Sequence, residues 1–94
     1  MITWDENKRK KNLRKHGIDF ADLEAVFDYP ILSDEDSDAG QDEMRIKSLC
    51  LFRGDVVVII WTPRPDNARI ISCRYGDKHE TQEYFGNLFH PGTN

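Results

Sequence analysis

Ninety-four residues with a net charge of −4, of which 38% are apolar and 32% charged, set the scale of one domain with one small core and exclude an internal domain boundary. The longest apolar stretch, Val56 to Trp61, is far short of a membrane span and no N-terminal run resembles a signal peptide, so a soluble cytoplasmic protein is expected. Cys50 and Cys73 show no CxxC spacing and no nearby histidine pair, which argues against a zinc site, leaves reduced thiols and points to no cofactor.

Ile2 to Trp4 reads as a short first strand, with Thr3 and Glu6, or Asp5 alone, as a cap for a helix from about Asp5 to His16. At 100° per residue, Glu6, Arg9 and His16 fall near Leu13, and Lys8, Lys11 and Lys15 fall on the opposite side. One face is therefore thinly apolar and the other is a lysine row. Gly17 offers the left-handed position that ends a helix. A second helix is expected from Asp19, with Ile18 and Leu23 placed as a hydrophobic staple, a buried stripe of Phe20, Leu23, Val26 and Phe27, and Pro30 as its stop.

Pro30 to Ser33 begins a strand. The run Asp34 to Glu43 holds six acids, and without them 11 acidic residues face 13 basic ones, so a solvated acidic loop masks a surface able to present basic patches. Met44 to Phe52 alternates, with Arg45, Lys47, Leu49 and Leu51 on one face. Arg53-Gly54-Asp55 is a hairpin turn, and Val56 to Trp61, apolar on both faces, reads as a central strand covered on both sides or as one with a face kept for a partner. Asn67 to Tyr75 closes a β-meander; strict alternation sends Arg69 with Ile71, Cys73 and Tyr75 one way and Arg74 with Ile70 and Ser72 the other. Asp77 and Glu80 cap a last helix ending near Phe85. The expectation is an α+β domain over residues 1–86, with two N-terminal helices, an antiparallel β-meander and a C-terminal helix, followed by a loose tail over 87–94.

A lysine row on a helix, joined to arginines on two neighbouring strands, suits a phosphate backbone. The competing reading is an ordinary solvated helix face, with the arginines paired to Glu80, Glu83 or the acidic loop. His16, His79 and His90 are proton-transfer candidates as the chain's imidazoles, the side chain whose chemistry suits that role, although His16 also suits a helix C-terminus. Trp4, Trp61 and Tyr75 offer faces for base stacking, with the two tryptophans read first as core. No nucleophile motif, phosphate-binding glycine loop or metal-ligand cluster is present.

Trp4-Asp5-Glu6, Lys8-Arg9, Asn12-Leu13, Lys15-His16-Gly17-Ile18, Asp19-Phe20, Val26-Phe27, Arg45, the Val56 to Trp61 strand, Arg69-Ile70-Ile71-Ser72-Cys73-Arg74 and Glu83-Tyr84 together resemble the BrnT toxins of type II toxin–antitoxin systems over about residues 2 to 85. The resemblance implies a RelE-like fold, metal-independent RNA cleavage that inhibits translation, and neutralisation by a BrnA-like ribbon-helix-helix antitoxin. It implies a hetero-oligomer that meets operator DNA only through the antitoxin. After Arg74 the sequence departs from the usual pattern, with Tyr75-Gly76-Asp77 in place of small and basic residues.

A metal-free ribonuclease needs a base for the 2′-hydroxyl, cations for the crowded phosphorane and an acid for the 5′-oxygen. Arg45, Arg69 and Arg74 are assigned to phosphate and transition-state charge, Lys15 or His16 to proton transfer with Tyr84 as a further candidate, and Lys8, Lys11, Lys15 and Lys47 to RNA binding. The alternative is a non-catalytic module that holds an antitoxin or operator complex.

Overall fold

A computed structural model describes residues 1–36 and 43–89. Five strands, β1 (Ile2–Trp4), β2 (Leu32–Glu35), β3 (Ile46–Phe52), β4 (Asp55–Pro63) and β5 (Ala68–Tyr75), form one sheet in the order β1-β5-β4-β3-β2. Strands β2 to β5 are the expected antiparallel meander, whereas β1 pairs parallel with β5. The sheet is therefore mixed, a correction to the all-antiparallel expectation. Three residues of strand carry little local signal, and β1 is recruited by a long-range pairing that alternation cannot announce.

Helix α1 (Glu6–His16) starts where the Asp5 side chain accepts from the Asn7 N–H and stops at Gly17, with φ of 73°. The second N-terminal helix is instead a pair of 3₁₀ turns, Phe20–Asp22 and Glu24–Asp28. Their bonds run over three residues, Leu23 N–H to the Phe20 carbonyl and Val26 N–H to the Leu23 carbonyl. Phe20, Leu23 and Val26 are all buried, and their spacing of three aligns them on one line of a 3₁₀ turn, where an α-helix would rotate them apart. Asp19 caps the first turn as expected.

The turn between β3 and β4 is the two-residue type, with Arg53 at φ 52° and Gly54 at φ 87°. Asp77 and Glu80 cap α2 (Lys78–Phe89) reciprocally: the Glu80 N–H donates to Asp77 Oδ1 at 2.8 Å and the Asp77 N–H to Glu80 Oε1 at 2.9 Å. This helix passes the expected stop near Phe85, so part of the predicted tail is helical; His90 and the rest of the tail lie outside the described residues. Ser37 to Asp42 of the expected acidic loop lie outside them too. Its first residues, Asp34 and Glu35, belong to β2, where charge suits an exposed sheet edge.

Strand β4 separates two cores. On one side Ile18, Phe20, Leu23 and Val26 pack with Cys50, Val57, Ile59, Ile70 and Cys73, and Trp4 and Trp61 join them. On the other, Tyr84 and Phe85 of α2 pack with Leu49, Val56 and Val58.

Candidate nucleic-acid interface

Strand β5 is irregular where its sequence is most charged. Ile60 pairs with Ser72 but Trp61 with Ile70, so Ile71 is an extra residue, a bulge. The bulge reverses the alternation. Ile70 and Cys73 both enter the core under α1, while Arg69, opposite Thr62, and Arg74, opposite Val58, share the α2 side of the sheet. The expectation of one arginine on each face is thus overturned: an odd spacing of five becomes a same-face spacing because one residue is unpaired.

Lys47, opposite Ile60, lies on that side as well. Arg74 donates to Glu80 through both terminal nitrogens at 2.9 Å, and Lys47 Nζ lies 3.4 Å from Glu80 Oε2. The Arg74 guanidinium, together with the Asp77 N–H, holds the Glu80 carboxyl down to about 2. A single α2 carboxylate therefore neutralises two predicted site cations and fastens the first turn of α2 to the sheet. The side chains of Arg45 and Arg69 have no ion pair or hydrogen bond among the described residues, the buried Arg45 Nε included, while the Arg45 carbonyl accepts from the Asp36 N–H at 2.8 Å.

On the other flank of β5, α1 crosses the edge that β1 leaves open after Ile70. Lys8, Lys11, Asn12, Lys15 and His16 line a cleft with Ile71 and Ser72 of the bulge. This corrects the helical-wheel reading. The buried residue of α1 is Asn12, 6% exposed, and Leu13 is 41% exposed; the lysines are a shoulder of the packed face and not its opposite. Asn12 is why. Its Nδ2 donates to the carbonyls of Ile18 and Cys73 at 3.0 and 2.8 Å, and its Oδ1 accepts from the Cys73 N–H at 3.0 Å. One side chain thus supplies Cys73 with the hydrogen bonds that a neighbouring strand would otherwise give.

The predicted site residues fall in two groups bordering one bulge. Lys8, Lys11, Lys15 and His16 line the cleft on its edge, and Arg45, Lys47, Arg69 and Arg74 occupy the α2 side of the sheet. Tyr84 stands apart from both, buried in the second core with its hydroxyl donating to the Pro30 carbonyl at 2.8 Å. Trp4 and Trp61 are core residues, their indoles donating to Glu6 and Ser48. Tyr75 is exposed beside Gly76, and His79 is exposed on the first turn of α2. Sequence reasoning passed over Asn12 and Thr62. A polar residue in mid-helix beside a thinly apolar stripe was the signal for the first; a threonine ending an apolar run gave little for the second.

Among the described residues no group of three or more His, Cys, Asp or Glu could hold a metal ion, and no helix is long and apolar enough to cross a membrane. The family described as "Ribonuclease toxin, BrnT, of type II toxin-antitoxin system" has a model that matches residues 4–80. That span reaches from Trp4 through the bulge to Glu80. No curated protein matches the chain.

Proposed function

This chain belongs to the BrnT ribonuclease toxins of type II toxin–antitoxin systems, and on that premise we propose that it cleaves RNA without a metal ion and so inhibits translation. The observation that carries the reading is the β5 bulge, which sets Arg69 and Arg74 on one face while its residues Ile71 and Ser72 line the lysine cleft. RNA laid across this ridge meets cations on both flanks. In the reaction the 2′-oxygen attacks phosphorus as its proton passes to the neutral amine of Lys15 or imidazole of His16, and the P–O5′ bond breaks as that group passes the proton on to the 5′-oxygen. Arg45, Arg69 and Arg74 carry the charge of the phosphorane. The products are a 2′,3′-cyclic phosphate and a free 5′-hydroxyl, with atoms and charge balanced. Tyr84 remains the further proton-transfer candidate, one that must first leave the Pro30 carbonyl.

Type II membership implies an antitoxin partner. We assign it a BrnA-like ribbon-helix-helix protein that holds the toxin in a hetero-oligomer and alone touches operator DNA; the fold is read as RelE-like and the setting as cytoplasmic. Neutralisation of Arg74 and Lys47 by Glu80 favours a second reading, a binding module without chemistry. Induction without antitoxin separates the two. Growth arrest with RNA loss in the wild type, weakened in Arg45→Ala and Arg74→Ala and unaffected by chelator with purified protein, supports the ribonuclease; unchanged growth and intact RNA refute it.

A further inference from the structure

We propose that Arg45, Thr62 and Arg69 form a phosphate subsite, separate from the Arg74–Glu80 pair, in which the Thr62 hydroxyl orients one phosphodiester of bound RNA. The inference rests on the ribonuclease reading and adds a residue and a division of labour to it.

Register and alternation place these residues in a row. Ile46, the first residue of β3, pairs with Trp61, and Arg45 precedes it, so alternation from Lys47 sets Arg45 toward the face and the end of the sheet that hold Thr62. Thr62 is paired with Arg69, and Arg69 with Thr3 of β1. All lie on the side of the sheet that carries Lys47 and Arg74.

Two atoms of this row are orphans. Thr62 is 2% exposed, and its Oγ1 and the Arg45 Nε are buried side-chain polar atoms without a hydrogen-bond partner among the described residues. Each unsatisfied buried group costs about 1–3 kcal/mol, and native chains seldom leave two such groups at one end of a sheet face without a reason. The neighbouring polar residue Thr3 is satisfied, its hydroxyl donating to Asn67 Oδ1 at 2.9 Å.

Asp36 lies beside the row, its N–H donating to the Arg45 carbonyl at 2.8 Å, with no ion pair to the Arg45 side chain among the described residues; the other counter-charges of the face are engaged elsewhere. Glu80 pairs with Arg74 and Lys47, while Asp34 and Glu83 line the same hollow as Lys47. Nearer the row, Glu43 is taken by Arg64 at 3.2 Å. Arg45 and Arg69 are left without a carboxylate among the described residues. Guanidinium groups only donate, and a threonine hydroxyl donates readily, so the missing ligand is an oxyanion. A phosphodiester fits best: its two non-bridging oxygens accept from several directions at once, and successive phosphates can follow the lysine cleft round the β5 edge. The orphans are closed to solvent in the free chain, so entry requires rotation of the long, half-buried Arg45 side chain.

The test uses the full chain and an uncleavable 2′-O-methyl RNA oligonucleotide, with binding followed by fluorescence polarisation at several salt concentrations. Thr62→Val removes the hydroxyl at constant shape. It should melt at or above the wild-type temperature, because an unsatisfied group is gone, yet bind the RNA about tenfold more weakly. Its salt slope should not change, since no charge is lost; Arg45→Ala and Arg69→Ala should each flatten the slope by about 0.7 for a single strand. Thr62→Ser should restore affinity. Wild-type binding by Thr62→Val would overturn the subsite while leaving RNA cleavage intact. If the wild type binds RNA with this pattern but does not cleave a 2′-hydroxyl oligonucleotide, the subsite stands and the ribonuclease reading falls. If the wild type binds no RNA and inorganic phosphate does not raise its melting temperature above a chloride control of equal ionic strength, the subsite is refuted.

Discussion

Replacing Glu80 with glutamine removes one charge from the point where α2 meets the sheet and leaves the amide oxygen able to accept from the Asp77 N–H. What is lost is the two-pronged bond to Arg74 at 2.9 Å and the Lys47 contact at 3.4 Å. Holding this carboxyl at about 2 instead of its ordinary 4.5 corresponds, at about 1.4 kcal/mol per pH unit, to a ceiling of about 3 kcal/mol. The Glu80 side chain is 12% exposed but those of Arg74 and Lys47 are each 43% exposed. Solvent screening on the cationic side reduces the expected loss to about 2 kcal/mol, or about 10 °C in melting temperature for a domain of this size. A carboxyl whose folded pKa is depressed stabilises the fold fully above its unfolded pKa of 4.5 and progressively less as pH falls toward 2. Urea unfolding of wild type and Glu80→Gln at pH 7 and pH 3 should therefore show a gap of about 2 kcal/mol that shrinks to less than half. A gap below about 0.5 kcal/mol at neutral pH, as in an ordinary surface pair, or one unchanged at pH 3, would refute the reasoning.

Asn12→Ala leaves the Cys73 N–H and the Cys73 and Ile18 carbonyls unpaired in a buried seam; a loss of about 2–4 kcal/mol in urea unfolding is expected, with accelerated hydrogen exchange at the Cys73 amide. Replacing Lys8, Lys11 and Lys15 together by alanine should lower the magnitude of the salt slope of RNA binding by about 2 without lowering the melting temperature, as measured by titration at graded salt. Burial pushes both Cys50 and Cys73 up to about 12, so neither should react with a thiol reagent at pH 8 until denaturant is added; prompt labelling of the native chain would contradict the packing of the first core.

Features governed by neighbours in sequence were legible. The Asp5 and Asp77–Glu80 caps, the Gly17 stop, the Arg53-Gly54 turn and the antiparallel meander each depend on a few adjacent residues, and each stands where those residues put it. Features decided by distant partners were not. The pairing of β1 with β5 brings Thr3 to Arg69 across most of the chain, and no period in either segment reveals it. The weight given to Leu13 failed because a helical wheel ranks hydrophobicity alone, and α1 is fastened by a polar side chain that bonds to an open strand edge. The second helix failed more narrowly. Of the expected stripe Phe20, Leu23 and Val26 are buried and Phe27 only partly so, and the spacing of three among the buried residues belongs to a 3₁₀ turn.

The bulge explains why the candidate site was only half readable. Arg69 and Arg74 are five positions apart, so a regular strand would drive one of them into the core occupied by Ile70 and Cys73, a burial that an unpaired guanidinium does not tolerate. The extra residue Ile71 resolves the conflict, since both apolar residues then point inward and both arginines outward from that core. It also leaves Ile71 and Ser72 lining the α1 cleft, where Asn12 has already taken the next position of the edge at Cys73. The odd arginine spacing, the mid-helix asparagine and the lysine shoulder are thus consequences of one local arrangement. A regular β5 of the same length would satisfy none of them, because the pairs Trp61 with Ile70 and Ile60 with Ser72 are consecutive only when Ile71 is left out of the ladder.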